Sequence, residues 1–253
     1  MLGRLFEGFW GKKPARVPEG RQVYAVGDIH GCDDLLRRLH AMIAEDAAAA
    51  PPETRLTVVY LGDYVDRGEG SREVIDLLLD NPLVGFERVH LIGNHEDSFL
   101  EFLQDDEIGP AWFSYGGDAT AESYGAIHVS DGPMSERFLR IQKALRENVP
   151  PRHLEFLSAL SPYHVIGDYL FVHAGVRPGV PLPEQSPKDL YWIRDDFIRS
   201  RADHGRVVVH GHTITPKPDR RPNRIGIDTG AYDSGVLTCL VLEGEKRRFL
   251  ATG

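Results

Sequence analysis

Apolar and polar positions along the chain follow two periods that take turns. QVYAV, RLTVVYL and RVHLI are short runs rich in β-branched and aromatic residues, and each predicts a strand. After them the spacing becomes helical: DDLLRRLHAMIAEDAAAA, SREVIDLLLD and DSFLEFLQDD carry apolar residues three and four apart. Acidic residues open the first of these helices, where they suit its dipole, and Pro51 and Pro52 stop it. Ser71 is placed as the N-cap of the second. Strand, loop and helix thus recur three times, the pattern of a layered α/β core with parallel strands in its first half. From Pro110 to about Leu160 the chain reads as helical, clearest in SERFLRIQKALRENV and PRHLEFLSAL, and forms an expected insert beside the core. From His164 strands return in HVI, YLFV, RVVV, NRIGI, SGVLTCLVL and KRRFLA, with hairpin turns at Gly167-Asp168 and Glu243-Gly244-Glu245. A second, β-rich sheet packed on the first is therefore expected. PGVPLPEQSPKD, loaded with proline, reads as an exposed loop.

Length and composition narrow the picture. The 253 residues suffice for one well-buried core, which places a single domain over residues 21–253, a helical insert at about 110–160 and an N-terminal arm at 1–20. In the arm, Leu2, Leu5, Phe6, Phe9 and Trp10 are spaced for a short amphipathic segment, with a partly disordered arm as the alternative. The arm lacks the long apolar stretch of a signal peptide or membrane span. A formal charge of −9 with scattered basic residues argues against nucleic acid or an anionic membrane as partner, and favours a small molecule or a peptide. Cys32 and Cys239 lie far apart without CxxC spacing, so neither a disulfide framework nor a zinc-thiolate site is indicated and a reducing cytoplasm is expected.

The chemistry sits where five of the strand-like runs stop. GDIHG at 27–31, GDYVDRG at 62–68, GNHE at 93–96, HAG at 173–175 and HGH at 210–212 each follow such a run. Side chains at strand ends converge in the crevice where open sheets bind ligands. Carboxylate and imidazole together suit divalent manganese, iron or zinc. The lack of thiolates disfavours a structural zinc site, and the imidazoles disfavour magnesium or calcium alone. A single Gly-Asp at a strand end is ordinary turn chemistry. Five such motifs in order are not.

This order of motifs closely resembles the phosphoprotein phosphatase family, the metal-dependent serine/threonine phosphatases within the calcineurin-like metallophosphoesterases, over roughly Val23 to Leu242. The resemblance implies a four-layer αββα sandwich, two packed mixed sheets flanked by helices. It also implies two divalent metal ions, manganese first with iron or zinc as alternatives. By motif position, Asp28 and His30 would bind the first metal, Asp63 would bridge, and Asn94, His173 and His212 would bind the second. A hydroxide bridging the ions would then attack phosphorus directly. His95 matches the general acid and Asp66 the carboxylate that orients it. Arg67 and Arg194, the latter in YWIRDDF, match the arginines that grip phosphate, assisted by Asn94 and His95. Ile92 before GNHE, Ala174 in HAG and His210 in HGH depart from the eukaryotic pattern and resemble the bacterial and phage branch, as does WFSYGGDAT at 112–120.

The implied activity is that of a phosphomonoesterase acting on phosphoserine or phosphothreonine in phosphoproteins, with no membrane span and no nucleic acid involved. The competing enzyme reading is hydrolysis of dinucleoside polyphosphates such as diadenosine tetraphosphate. His30 stands where the symmetrical bacterial hydrolases typically carry glutamine, which counts against that subgroup. A catalytically dead binding module is a third reading, opposed by the presence of every expected ligand. His210, flanking His212, is read as a non-ligand, Cys32 as a buried small hydrophobe, and DTGAYDSG at 228–235 as a tight turn. The rival reading of that last segment puts Tyr232 at the border of the site. Glu96, Asp97, Glu101, Asp105, Asp106 and Glu107 read as a solvated helix face.

Overall fold

The computed structural model describes residues 13–80, 83–127, 133 and 136–253; the apolar positions of the N-terminal arm lie outside the described residues. Three parallel strands, β1 (Arg21–Val26), β2 (Arg55–Tyr60) and β3 (Glu87–His90), carry the first motifs. Each is followed by a helix: α1 (Asp33–Ala47), α2 (Ser71–Asp80) and α3 (Asn94–Phe102). Two C-terminal strands, β9 (Thr238–Glu243) and β10 (Lys246–Ala251), complete this sheet antiparallel beside β1, giving the order β10-β9-β1-β2-β3.

Short helices occupy the middle of the chain: α4 (Gly109–Ser114), α5 (Gly117–Ser123), α6 (Arg137–Asn148) and α7 (Pro151–Ser158). The second sheet is built from β4 (Tyr163–Ile166), β5 (Tyr169–Val172), β6 (Val207–His210), β7 (Asp219–Arg220) and β8 (Arg224–Gly226), in the order β4-β5-β6-β8-β7. The loop between β5 and β6 carries α8 (Pro187–Trp192) and α9 (Asp195–Ile198), and α10 (Ala231–Ser234) precedes β9.

Alternation along the strands sorts side chains into layers. Val23 and Ala25 of β1, Val59 of β2 and Leu240 and Leu242 of β9 meet Tyr169 and Phe171 of β5 and Val209 of β6 in a core between the sheets. The intervening residues Tyr24, Val26, Val58, Tyr60 and Val241 face the helical layer, where they pack with Leu36, Leu39, Val74, Phe99 and Trp112. On the far side, Leu170, Val172 and Val208 are covered by Leu190, Tyr191, Ile193 and Phe197. Each fully buried Val, Leu or Phe side chain among them contributes about 1.5–3 kcal/mol. The result is the expected αββα sandwich with two mixed sheets.

Local departures have local causes. Residues 15–18 are already docked: Val17 is buried between the sheets, and the Arg16 amide donates to Asp168 Oδ2 (3.0 Å). Ser71 begins α2 rather than capping it, because its hydroxyl accepts from the Asp66 amide (3.1 Å). Helix α3 starts three residues before DSFLEFLQDD, since Glu96 reaches back to the Gly93 amide (2.9 Å) and closes its first turn. Among the described residues no helix is long and apolar enough to cross a membrane.

Candidate metal centre

The carboxyl ends of β1, β2 and β3 and of β5 and β6 open on one crevice. Among the described residues, five non-glycine residues have left-handed backbones: His30 (φ 47°), Asp63 (52°), Asp66 (70°), Arg67 (69°) and His212 (61°). All five belong to the motifs, and each such conformation costs about 1–3 kcal/mol unless its surroundings hold it. They are held. The Asp63 carbonyl accepts from Ile29 N (3.0 Å) and His30 N (2.8 Å), and the His30 carbonyl accepts from Gly68 N (3.0 Å). Close approach leaves no room for a side chain at Gly93 and Gly211. A Cβ on Gly93 would lie 2.1 Å from Asp63 Oδ1, and one on Gly211 would lie 1.9 Å from Asp28 Oδ1.

Asp63 is the hub. Its Oδ2 lies 3.3 Å from His173 Nε2, 3.5 Å from His30 Nε2 and 3.9 Å from His95 Nε2. His173 Nε2 is also 3.0 Å from Asn94 Oδ1 and 3.3 Å from His212 Nδ1. Two overlapping clusters result, His30–Asp63–His95 and Asp63–His173–His212, each close enough to share one ion. The far nitrogens of two rings are fixed by backbone: His30 Nδ1 donates to Val65 O and His173 Nδ1 to Leu61 O, both at 3.0 Å. Such outer hydrogen bonds set the tautomer of a metal-binding imidazole. Asp28 joins through Oδ2, which accepts from the His212 amide (2.9 Å). Its Oδ1 and the His212 Nε2 are buried without a partner, as expected of atoms made to meet a cation. Carboxylates, imidazoles and an amide oxygen form a donor set that fits divalent transition metals.

Protein charges alone leave the cluster electrostatically divided. Burial would raise the Asp63 carboxyl, but His173, His95 and His30 pull it well below the usual range. Burial and the neighbouring Asp228 carboxylate push Asp28 well above it. Burial lowers the His173 imidazole, yet the Asp63 charge outweighs this and lifts it to about 9. For His30, burial dominates and takes it to about 3. Buried carboxylates and imidazoles whose ionisation is shifted in opposite directions are the pattern of a functional-site candidate.

Beside the hub, His95 Nδ1 donates to Asp66 Oδ2 (2.7 Å), and its Nε2 lies 3.4 Å from Arg67 Nη2. Burial lowers the His95 imidazole, but Asp63 and the Asp66 hydrogen bond raise it overall. Asp28, His30, Asp63, Asp66, Arg67, Asn94, His95, His173 and His212 thus converge. Arg194 stands at the rim, its Nη1 donating to the His212 carbonyl (3.2 Å). His210 lies on the other face of β6, edge-on to Phe197 (5.1 Å) with Nε2 3.4 Å from Arg224, and joins neither cluster. Cys32, expected to be buried, is only half-buried at the start of α1; burial, with Asp34 and Asp33 nearby, still pushes its thiol up to about 11.

Two further expectations are corrected. Glu96 is not on a solvated face: it is fully buried, and its carboxylate accepts from Asp63 N (2.8 Å), Tyr64 N (2.7 Å) and Gly93 N (2.9 Å). Burial and the Asp63 charge push it up to about 7. The segment at 228–235 forms the short helix α10, with Tyr232 at the site: its ring is 5.5 Å from His30 and stacks under the Arg67 guanidinium at 4.7 Å. Trp112 and Thr120, which bond Asp66, carried no individual signal in sequence, nor did Asp228, whose Oδ1 accepts from Gly230 N (2.9 Å).

Comparison with known proteins accords with this geometry. The sequence profile described as calcineurin-like phosphoesterase matches residues 21–234. The chain is 29% identical to the asymmetrical bis(5'-nucleosyl)-tetraphosphatase PrpE of Anoxybacillus flavithermus, over 85% of this chain and 88% of that protein. It is 26% identical to serine/threonine-protein phosphatase 2 of Salmonella typhimurium, over 86% and 91%. A crystal structure of a putative diadenosine tetraphosphatase superposes with a TM-score of 0.60 at 21% identity, covering 92% of this chain and 95% of that one, a likeness of fold. A match over most of the chain, joined to a donor set suited to divalent metals, leads to one assignment: the chain belongs to the calcineurin-like phosphoesterases and is a hydrolase of the metallophosphoesterase type.

Proposed function

We propose that the protein is a two-metal phosphomonoesterase whose substrates are phosphoserine and phosphothreonine in proteins. The carrying observation is the buried Asp66–His95 pair, which presents His95 Nε2 beside Asp63 and Arg67. A serine or threonine alkoxide is a very basic leaving group and needs a proton as it departs, whereas a nucleotide phosphate leaves with little help. A fixed proton donor is therefore worth most on an alkyl ester. Asp28, His30 and Asp63 would hold one ion, and Asp63, Asn94, His173 and His212 the other, with manganese the first choice. When bound, such a pair supplies the charge that activates water and offsets charge on the phosphoryl group. The cation of Arg67, 3.4 Å from His95 Nε2, disfavours a further ion there and favours His95 as donor over ligand. Arg67, with Arg194 at the rim and Asn94 below, receives phosphoryl oxygens through the planar guanidinium fork.

A second reading, dinucleoside polyphosphate hydrolysis, is favoured by the aromatic rim of Tyr115, Trp192 and Tyr232, since planar rings stack on nucleobases, and by the name of the relatives that include PrpE. Turnover of phosphoserine, phosphothreonine and phosphotyrosine peptides and of diadenosine tetraphosphate by the manganese-loaded protein separates the two. A higher kcat/KM on phosphoserine or phosphothreonine peptides supports the first reading; preference for the dinucleotide transfers the conclusion to the second.

A further inference from the structure

We infer that Trp112 and Thr120, delivered by the α4–α5 segment, are positioning residues for the proton-donating histidine and act on it through Asp66. The inference rests on the reading of His95 as proton donor. Asp66 is fully buried, and both of its oxygens are taken. Oδ1 accepts from Thr120 Oγ1 (2.6 Å) and the Trp112 indole N–H (3.2 Å), and Oδ2 accepts from the same N–H (3.0 Å) and from His95 Nδ1 (2.7 Å).

The grip is two-sided. The Asp66 amide donates to Thr120 Oγ1 (2.8 Å) as well as to Ser71 Oγ (3.1 Å), so the Thr120 hydroxyl bonds both the backbone and the carboxylate of a residue in the left-handed conformation. The indole is itself immobilised between Phe99 (ring centroids 5.3 Å) and Phe102 (4.6 Å). The segment is tied down again at its centre, where the Gly116 carbonyl accepts from Arg67 N (3.0 Å), and at its end, where Tyr124 OH meets His153 Nδ1 (2.9 Å) and His153 Nε2 meets Asp76 (3.0 Å).

With Thr120 Oγ1 on Oδ1 and the Trp112 N–H shared between both oxygens, the plane of the carboxylate is fixed and Oδ2 meets His95 Nδ1. That leaves Nε2 facing the crevice. Removing either donor frees the carboxylate to turn, and the imidazole loses the partner that fixes its orientation.

The test uses Trp112→Phe, which keeps ring packing and removes the N–H, Thr120→Val, which removes the hydroxyl, and Thr120→Ser, which restores it. Each metal-loaded variant is assayed at saturating substrate on a phosphoserine peptide and on a nitrophenyl phosphate, beside His95→Ala, with metal content measured. Trp112→Phe and Thr120→Val are expected to lower kcat on the peptide by about 10–100-fold and on the aryl ester by a smaller factor, and Thr120→Ser to recover most of the loss. A second readout needs neither metal nor turnover. In the metal-free, histidine-labelled protein, the His95 Nδ1 proton, identified by its absence in His95→Ala, should exchange faster with water in both variants than in the parent.

Equal losses on the two esters in His95→Ala would remove the acid reading and this inference with it. An ester-selective loss in His95→Ala, with no such selectivity and no faster exchange in either variant, would overturn the positioning role alone. Should Trp112→Phe fail to fold, Thr120→Val and Thr120→Ser decide the matter.

Discussion

Loops leaving the parallel strands of the first sheet are bonded to one another, whereas the two second-sheet strands that reach the site each deliver a single imidazole. The loop after β1 donates two amides to the Asp63 carbonyl, the loop after β2 returns Gly68 N to His30 O, and Glu96 from the first turn of α3 accepts from Asp63 and Tyr64. His173 and His212 are instead located by that assembly, through Leu61 O and Asp28 Oδ2. The first half of the chain therefore shapes the site, and the second half closes it. The tips of β5 and β6 share one backbone hydrogen bond, from Gly211 N to the His173 carbonyl (2.8 Å), although a long loop with two short helices separates these strands in sequence.

The largest expected effect strikes the hub on which both halves depend. Asp63→Asn should lower affinity at both ion positions and reduce turnover by more than about 100-fold, beyond what loss of an outer hydrogen bond costs. Elemental analysis and kinetics on the same sample check it; full metal content with near-parent turnover would remove Asp63 from the centre. Next comes the template itself. In Glu96→Gln an amide N–H2 must face a backbone N–H that the carboxylate now accepts, so the metal-free protein should lose about 2–4 kcal/mol in urea unfolding. An unchanged midpoint would show that the loops hold their shape without Glu96.

The second-sheet counterpart should behave in the opposite way. His212→Asn, a side chain tolerated at left-handed φ, is expected to shift metal-free unfolding by less than about 1 kcal/mol while weakening one ion about 10–100-fold. A stability loss as large as that of Glu96→Gln would erase the distinction between the halves. The smallest effect probes the layer outside the first sheet, where His40 Nε2 and Tyr60 OH pair at 2.8 Å and burial takes His40 to about 4. The folded state resists protonation there, so between about pH 6.5 and 4 the unfolded chain binds more protons, and stability falls as pH falls. His40→Gln should flatten that slope by about 1 kcal/mol per pH unit in metal-free protein. An unaltered slope would mean that His40 titrates alike in both states.

Strand ends and the residues that follow them were legible because the signal is local: an apolar run, then Gly-Asp, Gly-Asn or a histidine. The helices of the first half were legible by period. Glu96 was misread because its neighbours Glu101, Asp105 and Glu107 are exposed, and nothing in the run marks one acid as facing inward. Its partners Asp63 and Tyr64 lie more than thirty residues upstream. Trp112 and Thr120 were visible as part of WFSYGGDAT, but their bond to Asp66 joins an insert to a motif 46 and 54 residues away, and no periodicity encodes such a pairing. Tyr232 was legible only as one of two readings, since a turn and a site border leave the same trace in sequence.

The left-handed backbones of His30, Asp63, Asp66, Arg67 and His212 set durability against work. Glycine would occupy each of these positions at lower conformational cost, so a population of variants screened only for survival on heating should drift toward glycine there and lose the enzyme while keeping the sandwich. Under the proposed function, the side chains on these five turns are what such a screen would discard.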